Sequence, residues 1–478
     1  MLNINKYYTS ILALILVLFV FSSDYMVSNR YLCDPVISSN LNVVFPEQKK
    51  YVPQILSEHP PITITSEQNF TDYGFPGNGT ETNPYRIENF NIFTTEKSAI
   101  AIYNLSVFFV ISNCLVSADR YGIYIENVSF YDLYSQSYLP LVSIFNNDCY
   151  NCWQGINIFD AWNCTVQHNI CFSNENYGIK VEQSWYSMVT NNTCYNNFRG
   201  IVLFESTRSV IMDNYCFNNL VGLTLWSSLD AIGFNNTCVF NNYSGISIYS
   251  GYVTLRNNNC SNNLESGIEL DGGSSSKIWN NLCQYNKYGI FSIDSFYTNI
   301  TENICLNNDY GIFLTFGSWY DVLFRNNCTN NYIHGIHADR AKECIFSFNY
   351  ISLNTFYGFY FTNNTKGSII AYNIVKDNNL GGISQAYDDG EENIWYDEQN
   401  QKGNYWSDWS GEGVYKIDGK ANSSDFYPLT EKLERPTPTF LTSTNEFHWI
   451  IAIFSLTLLI ASSIYRKKRI KTKVLSKT

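Results

Sequence analysis

The sequence is poor in charged residues, histidine and methionine, and its repeats show no helical periodicity. Only 15% of the 478 residues are charged, whereas 45% are hydrophobic and 17% are aromatic. A chain with this balance is not intrinsically disordered. Five histidines and four methionines leave few soft or imidazole ligands for a dedicated copper site. The missing 3.6-residue period excludes a helical repeat.

Positive charge is scarce outside the C-terminus. The net charge is −12, and seven of the 30 basic residues lie in the last 13 positions. The rest of the chain therefore carries 23 basic and 42 acidic residues, a net charge of −19. Such a surface repels nucleic acid and polyanionic glycans unless divalent cations intervene. We therefore expect no nucleic-acid partner, and neutral glycans or a protein partner fit better.

One pattern recurs about every 22 residues: Asn, any residue, Cys, two residues, Asn, two or three residues, then Gly and Ile. Its glycines are Gly155, Gly178, Gly200, Gly222, Gly245, Gly267, Gly289, Gly311, Gly335 and Gly358. After each glycine, apolar and polar residues alternate as in a half-buried strand. Short strands at a constant period predict a parallel β-helix of about 12 coils. A leucine-rich repeat has a similar length, but its leucine framework is missing.

The repeated positions should form ladders along the β-helix. Each coil lies over the previous one at roughly 4.8 Å, so a sequence column becomes a physical stack. Inward asparagines can then hydrogen-bond along the stack and satisfy buried turn backbone. The predicted ladders are an asparagine column (Asn192, Asn214, Asn236, Asn258), a cysteine column (Cys194, Cys216, Cys238, Cys260) and a second asparagine column (Asn197, Asn219, Asn241, Asn263).

The 14 cysteines leave three interpretations open. Ten of them, including Cys114, share one coil position, which favours small apolar side chains stacked as buried free thiols. Vertical disulfides between neighbouring coils and metal binding are the alternatives. Cys33, Cys152, Cys164 and Cys344 lie off this column.

Composition divides the chain into segments around the repeats. The short apolar core near the N-terminus predicts an export signal or an anchor. The 19 uncharged residues before Arg466 predict a transmembrane helix with the basic tail inside, which places the repeats outside a cell as a single-pass membrane protein. The predicted segments are 1–23 (signal or anchor), 24–60 (unassigned), 61–98 (N-terminal cap), 99–390 (repeats), 391–430 (aromatic C-terminal cap), 431–446 (Pro/Thr linker), 447–465 (transmembrane helix) and 466–478 (cytoplasmic tail).

One coil is longer than the others. The step from Gly122 to Gly155 is 33 residues, about eleven more than a coil of this repeat type needs. We therefore predict a loop that protrudes near Phe130–Leu139.

Three motifs in order resemble the NosD-like β-helix proteins, also described as carrying CASH-type repeats. They are Pro76-Gly-Asn-Gly-Thr80 with Asn83-Pro-Tyr-Arg-Ile-Glu88, the repeated coil, and Gly403-Asn-Tyr-Trp-Ser-Asp408 followed by Asp425-Phe-Tyr-Pro-Leu429. The similarity covers roughly residues 61–430. It implies a right-handed parallel β-helix of the pectin-lyase-like type, as in archaeal surface proteins. For function it implies at most an accessory to copper-site assembly, since one fold hosts many functions.

Outward carboxylates are the candidate catalytic groups, because enzymes of this fold build their sites from outward residues of neighbouring strands. The candidates are Glu269, Asp271 and Asp294, with His337, Asp339 and Arg340 two coils further on. Glycoside hydrolysis needs two carboxyls about 5–9.5 Å apart, which one or two coil rises satisfy. The alternative is a solvated acidic face. The chain also lacks the paired-Asp and Gly-His-Gly signature of polygalacturonases and the Asp-Pro-His-Asp motif of alginate epimerases.

Two further sets of residues are candidates for binding. His334 and His337 could hold a metal, although we predict no cofactor beyond a compatible divalent cation. Aromatic rings pack against the C–H groups of sugars, and an exposed apolar strip marks an interaction site unless a side loop covers it. The predicted outward stripe is Trp226, Tyr249, Phe291, Phe313 and Tyr360.

The sequence thus favours a membrane-anchored extracellular β-helix that binds glycans or other envelope components without catalysis. The first alternative is a polysaccharide lyase or glycoside hydrolase acting around Glu269 to Asp339. The second is a NosD-like accessory to metal-site assembly.

Overall fold

The computed structural model describes residues 56–132 and 137–431. These residues form a parallel β-solenoid of about 13 turns with almost no helix. Three parallel sheets run along the repeats, and a typical coil contributes one strand to each. The predicted all-β parallel β-helix is therefore confirmed, with about one coil more than the sequence indicated.

The first sheet carries the repeated glycines, and we call it the glycine sheet. Its inward side chains, such as Ile179 and Val181, are fully buried. Its 14 strands are Ile62–Ile64, Ser98–Leu105, Tyr121–Val128, Gln154–Phe159, Tyr177–Glu182, Arg199–Phe204, Val221–Trp226, Ser244–Tyr249, Ser266–Asp271, Tyr288–Ile293, Tyr310–Thr315, His334–Ala338, Phe359–Phe361 and Ala386–Asp388.

The second sheet follows the glycine sheet in each coil, and we call it the middle sheet. Its outward residues are mixed, and aliphatic side chains such as Ile232, Ile345 and Ile369 are exposed among polar and aromatic ones. Its 13 strands are Tyr85–Glu88, Phe109–Ser112, Val142–Phe145, Thr165–Gln167, Met188–Thr190, Val210–Met212, Ile232–Phe234, Thr254–Arg256, Lys277–Trp279, Asn299–Thr301, Val322–Phe324, Ile345–Ser347 and Ile369–Ala371.

The third sheet holds the cysteine column, and we call it the cysteine sheet. It consists of eight and six strands, joined where Asn259 bridges Thr237 and Leu282. Its strands are Ser57–Glu58, Phe90–Phe93, Leu115–Ser117, Asp148–Tyr150, Ile170–Phe172, Thr193–Tyr195, Tyr215–Phe217, Thr237–Val239, Leu282–Gln284, Ile304–Leu306, Asn327–Thr329, Tyr350–Ser352, Ile374–Lys376 and Tyr405–Trp406.

The cysteine column stands in register inside the core. Cys194 pairs with Cys216, which pairs with Cys238 in the next coil. All thirteen cysteines in the described part of the chain, Cys260 among them, are buried free thiols. The prediction that Cys114 belongs to the cysteine column was wrong. Val116 pairs with Cys149, and the backbone N of Cys114 donates to Oδ1 of Asn147 at 3.0 Å, so Cys114 stands at the end of the first asparagine ladder. Burial raises the pKa of Cys114 to about 12, so this thiol is neutral at ordinary pH. The structure therefore agrees with the first of the three interpretations of the cysteines.

The two asparagine columns form continuous hydrogen-bonded ladders. The Nδ2 of Asn214 donates to the Oδ1 of Asn236 at 3.0 Å and back to the carbonyl of Val189 at 2.9 Å. The backbone N of Asn214 donates to the same Oδ1 at 3.1 Å. Asn197, Asn219, Asn241 and Asn263 repeat this geometry in the second column. Each amide thus satisfies buried backbone groups of its own and of neighbouring coils.

Both ladders end on a carboxylate at the C-terminal side. The backbone N of Asn404 donates to Oδ2 of Asp425 at 2.7 Å. In the second ladder Asn378 donates to Gln385, whose Nε2 donates to Oδ1 of Asp408 at 2.6 Å. The backbone N–H and one side-chain N–H of each ladder asparagine donate toward the next coil, so a carboxylate that accepts the last of these bonds is favourable.

A short α-helix, Glu67–Asp72, caps the N-terminal end, and the sequence analysis did not foresee it. Phe70 is fully buried and stacks on Tyr85 with ring centroids 4.3 Å apart. The Oδ1 of Asn69 accepts from the backbone N of Ser66 at 3.1 Å, which fixes the first turn. The strand Ile62–Ile64 already belongs to the glycine sheet, so the solenoid begins inside the segment assigned to the cap.

Buried aromatic rings close the C-terminal end. Trp395 and Trp406 are buried, and Trp406 stacks on Tyr415 with centroids 4.1 Å apart. The Nε1 of Trp406 donates to Asp425 at 2.9 Å. An antiparallel pair, Tyr415–Lys416 with Ser424–Asp425, completes this end.

The predicted protrusion contains a second antiparallel pair, Tyr131–Asp132 with Ser137–Tyr138. The predicted signal, linker, transmembrane helix and basic tail lie outside the described residues. Among the residues that are described, no helix is long and apolar enough to cross a membrane.

Candidate functional site

The outer face of the glycine sheet collects most of the predicted site residues. Positions two and four residues after each glycine point outward, so successive strands place these side chains side by side in two columns. We call these two columns, together with the residue that precedes each glycine, the outer face of the glycine sheet.

The aromatic residues of the outer face form two clusters and not one stripe. In the first cluster, Trp226 lies 5.6 Å from Phe204 and 5.5 Å from Tyr249 between ring centroids. These residues stand four positions after their glycines. All three rings are part-exposed.

The second cluster begins two coils further on and uses the column two residues after the glycine. Phe291 stacks on Phe313 at 5.7 Å, Phe313 lies 4.2 Å from His337, and Tyr360 stacks on Tyr387 at 4.9 Å. Phe291, Phe313 and Tyr360 are also part-exposed. The predicted single stripe is therefore divided, because its five residues belong to two different columns.

Glu269 lies between the two clusters, and it is buried. Ser244 and Ser247 donate to its Oε2 at 2.9 and 3.0 Å, and the hydroxyl of Tyr243 donates to Oε1 at 3.4 Å. Burial and this carboxylate raise the pKa of Tyr243 to about 12. Glu269 is thus held in place by the preceding coil, unlike an acid on a solvated face.

Asp271 and Asp294 are the exposed acids next to Glu269. Partial burial and the neighbouring Asp294 carboxylate raise the pKa of Asp271. Glu269 and Asp271 lie on the same strand two residues apart, so both face outward. The structure therefore brings three of the six candidate catalytic residues together.

The other three candidates form a separate group beyond the strand Tyr310–Thr315. Asp339 accepts from Thr362 Oγ1 at 2.7 Å and from Thr315 Oγ1 at 3.2 Å. The guanidinium of Arg340 lies 3.8 Å from the centroid of the Phe316 ring, and its Nε lies 3.8 Å from Asp339. Asp339 is therefore engaged by side chains of neighbouring coils, whereas the side chain of Arg340 remains 43% exposed.

His334 and His337 lie edge to face within the second aromatic cluster, with ring centroids 5.5 Å apart. Burial lowers the pKa of His334 to about 3 and that of His337 to about 4. The Nδ1 atoms of both rings are buried without a hydrogen-bond partner. No group of three or more His, Cys, Asp or Glu side chains in the described residues is arranged to hold a metal.

The sequence analysis missed a cleft at the corner between the glycine sheet and the middle sheet. Its volume is about 360 Å³. The sequence does contain an indication of this cleft. Trp162 and Trp185 are 23 residues apart and so occupy the same position in successive coils. The lining residues are Asp160, Trp162, Gln183, Trp185, Glu205, Thr207 and Ser227.

Comparison with solved structures finds β-helix enzymes at low similarity. The periplasmic alginate epimerase AlgG has 14% identity and a TM-score of 0.42, and the match covers 70% of this chain and 82% of that one. The mannuronan C-5 epimerase AlgE4 A-module of Azotobacter vinelandii has 13% identity, a TM-score of 0.36 and coverages of 65% and 94%. The GH87 α-1,3-glucanase catalytic unit of Streptomyces thermodiastaticus has 14% identity, a TM-score of 0.37 and coverages of 74% and 72%.

Sequence comparison gives a clearer result. No curated protein matches the chain. The model of the family described as periplasmic copper-binding protein (NosD) matches residues 62–237, 190–284 and 234–411. These overlapping matches extend from the first strand of the glycine sheet into the C-terminal cap, and the chain belongs to the NosD family.

Proposed function

We propose that this protein binds an extended neutral polysaccharide along the outer face of the glycine sheet and does not cleave it. The observation that carries the proposal is the pair of part-exposed aromatic clusters on that one face, with Glu269, Asp271 and Asp294 between them. The outer face from Phe204 to Tyr387 spans eight coil steps, or about 40 Å. A surface of that length fits a chain better than a single sugar.

The chemistry of the face supports a neutral carbohydrate ligand. Aromatic rings pack against the C–H faces of sugar rings, and carboxylates accept hydrogen bonds from sugar hydroxyls. A net charge of −12 repels polyanionic chains. Both oxygens of Glu269 already accept hydrogen bonds from protein hydroxyls, which supports a binding role over proton transfer.

The proposal also includes a cellular localisation. An exported chain that is anchored through residues 447–465 would present the solenoid to envelope polysaccharides. Protease treatment of intact cells tests this part, because we expect the solenoid to be digested from outside. A solenoid that is protected until the cells are lysed would contradict it.

The experiment is a screen of the full-length protein in detergent against neutral and acidic glycans, followed by calorimetric titration with the best neutral chain. We expect Trp226→Ala and Phe313→Ala each to weaken affinity about tenfold, since aromatic anchors dominate such contacts. Phe93→Ala is the control, because Phe93 is 71% exposed but lies on the cysteine sheet.

Two results would overturn this function. If neither variant changes affinity, the outer face is not the binding surface. If the protein releases new reducing ends from a bound chain, it is an enzyme, and the group of Glu269, Asp271 and Asp294 becomes its candidate active site.

A second candidate function is copper binding, and the orphaned Nδ1 atoms of His334 and His337 favour it. Imidazole nitrogen is a suitable copper ligand, and His334 and His337 each have one buried Nδ1 without a hydrogen-bond partner. Two ligands do not complete the square-planar geometry of copper(II), so this pair would hold copper(I). Bound copper would supply a redox-active ion, while the surrounding rings of Tyr310, Phe313 and Tyr360 exclude water.

Copper retention distinguishes this candidate. The full-length protein is loaded with copper(I), dialysed against a competing chelator, and its metal content is measured. We expect His334→Ala and His337→Ala to lose the ion, whereas His168→Asn, at an exposed position, retains it. If all three variants retain the same amount of copper, the ion does not bind at His334 and His337, and this candidate function is overturned.

A further inference from the structure

An aromatic stack on the corner between the glycine sheet and the middle sheet stops abruptly. The ring of Tyr138 lies 4.1 Å from that of Trp162, and Trp162 stacks on Trp185 at 4.8 Å with an interplanar angle of 15°. The backbone N of Tyr186 donates to the carbonyl of Thr207 at 3.2 Å. Thr207 therefore occupies the corner position in the next coil, where a third large ring would continue the stack.

The cleft lies where that ring is missing. Both tryptophans and Thr207 line it, and its volume of about 360 Å³ falls within the range of small-molecule sites. The side chain of Trp185 is 39% exposed. Because Thr207 is small, a space remains beside the flat indole of Trp185, and this space is open to solvent.

The indole and the polar wall of the cleft are fixed in position. The Nε1 of Trp185 donates to the carbonyl of Glu205 at 3.1 Å, and the Nε2 of Gln183 donates to Glu205 Oε2 at 2.8 Å. Because these side chains are already fixed, they lose little conformational entropy when a ligand binds. The site is therefore largely preformed.

The charge of the cleft restricts its ligand. Asp160 and Glu205 are its charged lining residues, and both are acidic. Arg208, the basic residue next to Thr207, pairs with Asp230 at 3.5 Å and donates to the hydroxyl of Tyr186 at 3.0 Å. Hydroxyl donors fit these carboxylates, and a uronic acid would be repelled.

We propose that this cleft is a saccharide-binding site in which a neutral sugar ring takes the third place in the stack. The sugar packs on the indole of Trp185 beside Thr207, and its hydroxyls donate to Asp160 and Glu205. The site goes beyond the proposed function, because other side chains line it. It lies at the corner of the solenoid, where Glu205 and Ser227 directly follow Phe204 and Trp226 of the first aromatic cluster.

The test is a titration of the full-length protein with cellohexaose, mannohexaose and hexagalacturonate, followed by tryptophan fluorescence and calorimetry. The background is Trp226→Ala with Phe313→Ala, which removes the outer-face clusters. We expect a neutral hexaose to bind and to change the fluorescence, and we expect hexagalacturonate to bind at least tenfold more weakly.

Two variants and one control locate the site. Trp185→Ala should weaken binding about tenfold, and Thr207→Trp should abolish it because the new indole fills the cleft. Thr207→Trp also extends the stack, so the variant should unfold at the same denaturant concentration as its parent or higher. The control is Trp279→Ala, because Trp279 is 41% exposed and donates its Nε1 to Glu302 at 2.8 Å on the middle sheet.

The outcomes separate this proposal from the proposed function. If a neutral hexaose binds the background protein and Thr207→Trp has no effect, the cleft is not the site. If hexagalacturonate binds as tightly as the neutral chains, the acidic residues of the cleft do not select a neutral ligand and the proposal is overturned. If only the outer-face substitutions abolish binding, the cleft proposal is overturned while the outer face stands.

Discussion

The asparagine ladders and the outer face of the glycine sheet belong to the same coils, yet they follow opposite rules. The ladder position is asparagine at Asn192, Asn214 and Asn236 and in every neighbouring coil. The outer position two residues after the glycine is not held to one residue type: Asn157, Lys180, Val202, Thr224, Ser247, Glu269, Phe291, Phe313. A buried ladder must satisfy the same backbone groups in each coil, whereas an outward position is free to vary. Repetition of a residue type marks what the fold needs, and variation marks where binding can be built.

The largest expected effect comes from a break in a ladder. Asn236→Ala removes the acceptor of two N–H groups of Asn214 and the donor to the carbonyl of Ile211 at 3.0 Å. Because these groups are buried and have no replacement partner, we expect the free energy of unfolding to fall by about 4 kcal/mol. Denaturant unfolding followed by circular dichroism measures it.

The matched control is Asn242→Ala, an exposed asparagine in the adjacent turn. Its loss should change stability by less than about 0.5 kcal/mol. Equal effects of the two substitutions would show that repetition of asparagine is not tied to stability.

A smaller effect comes from Asp321, which occupies a turn position that is serine in two other coils. Ser276 and Ser368 accept from backbone N–H groups of Val253 and Cys344 in equivalent turns. Asp321 does the same for Thr298 at 2.8 Å, but its Oδ2 is buried without a partner. Burial raises the pKa of this carboxyl to about 8, well above its value in an unfolded chain.

The sign of the pH dependence follows from that pKa. Between about pH 4 and pH 8 the folded protein keeps a proton that the unfolded chain releases, so stability falls as pH rises. Relative to Asp321→Ser, wild-type protein should lose up to about 3 kcal/mol between pH 5 and pH 7 and level off above pH 8. Denaturant midpoints of both proteins across this pH range measure it, and a constant difference would contradict the burial argument.

The smallest effect on stability is expected on the outer face. Trp226→Ala removes a part-exposed ring with two tilted ring contacts, so the free energy of unfolding should fall by only about 1 kcal/mol. Denaturant unfolding checks this value beside Asn236→Ala. A loss as large as that of the ladder variant would remove the distinction between the two regions.

The sequence predicts the solenoid and its ladders because each column repeats one residue type at one period, as Cys194 and Cys216 do. It does not predict the ladder ends, since Asp425 and Asp408 lie outside the period and meet the ladders only in space. The helix Glu67–Asp72 is too short for a periodic signal. The burial of Glu269 depends on Ser244 and Ser247 of the preceding coil, and alternation along one strand carries no information about that neighbour.

The site is less predictable than the fold for the same reason. Alternation identifies the outer face, but it does not separate the column of Trp226 from that of Phe291, and so it predicted one stripe where the structure has two clusters. The cleft beside Trp185 depends on a small residue, Thr207, in the following coil. Such a site becomes visible in the sequence only when outward positions are compared from coil to coil.

The most direct test of this account is the shift of the thermal unfolding midpoint on addition of a saturating neutral oligosaccharide, for wild-type protein and for Trp226→Ala with Phe313→Ala. A ligand that binds the folded state raises the midpoint. We expect the midpoint of the wild-type protein to rise with the ligand. The variant should unfold close to the wild-type midpoint without ligand and should show a smaller rise, which the cleft beside Trp185 supplies. A rise that both substitutions leave unchanged would contradict the assignment of binding to the outer face.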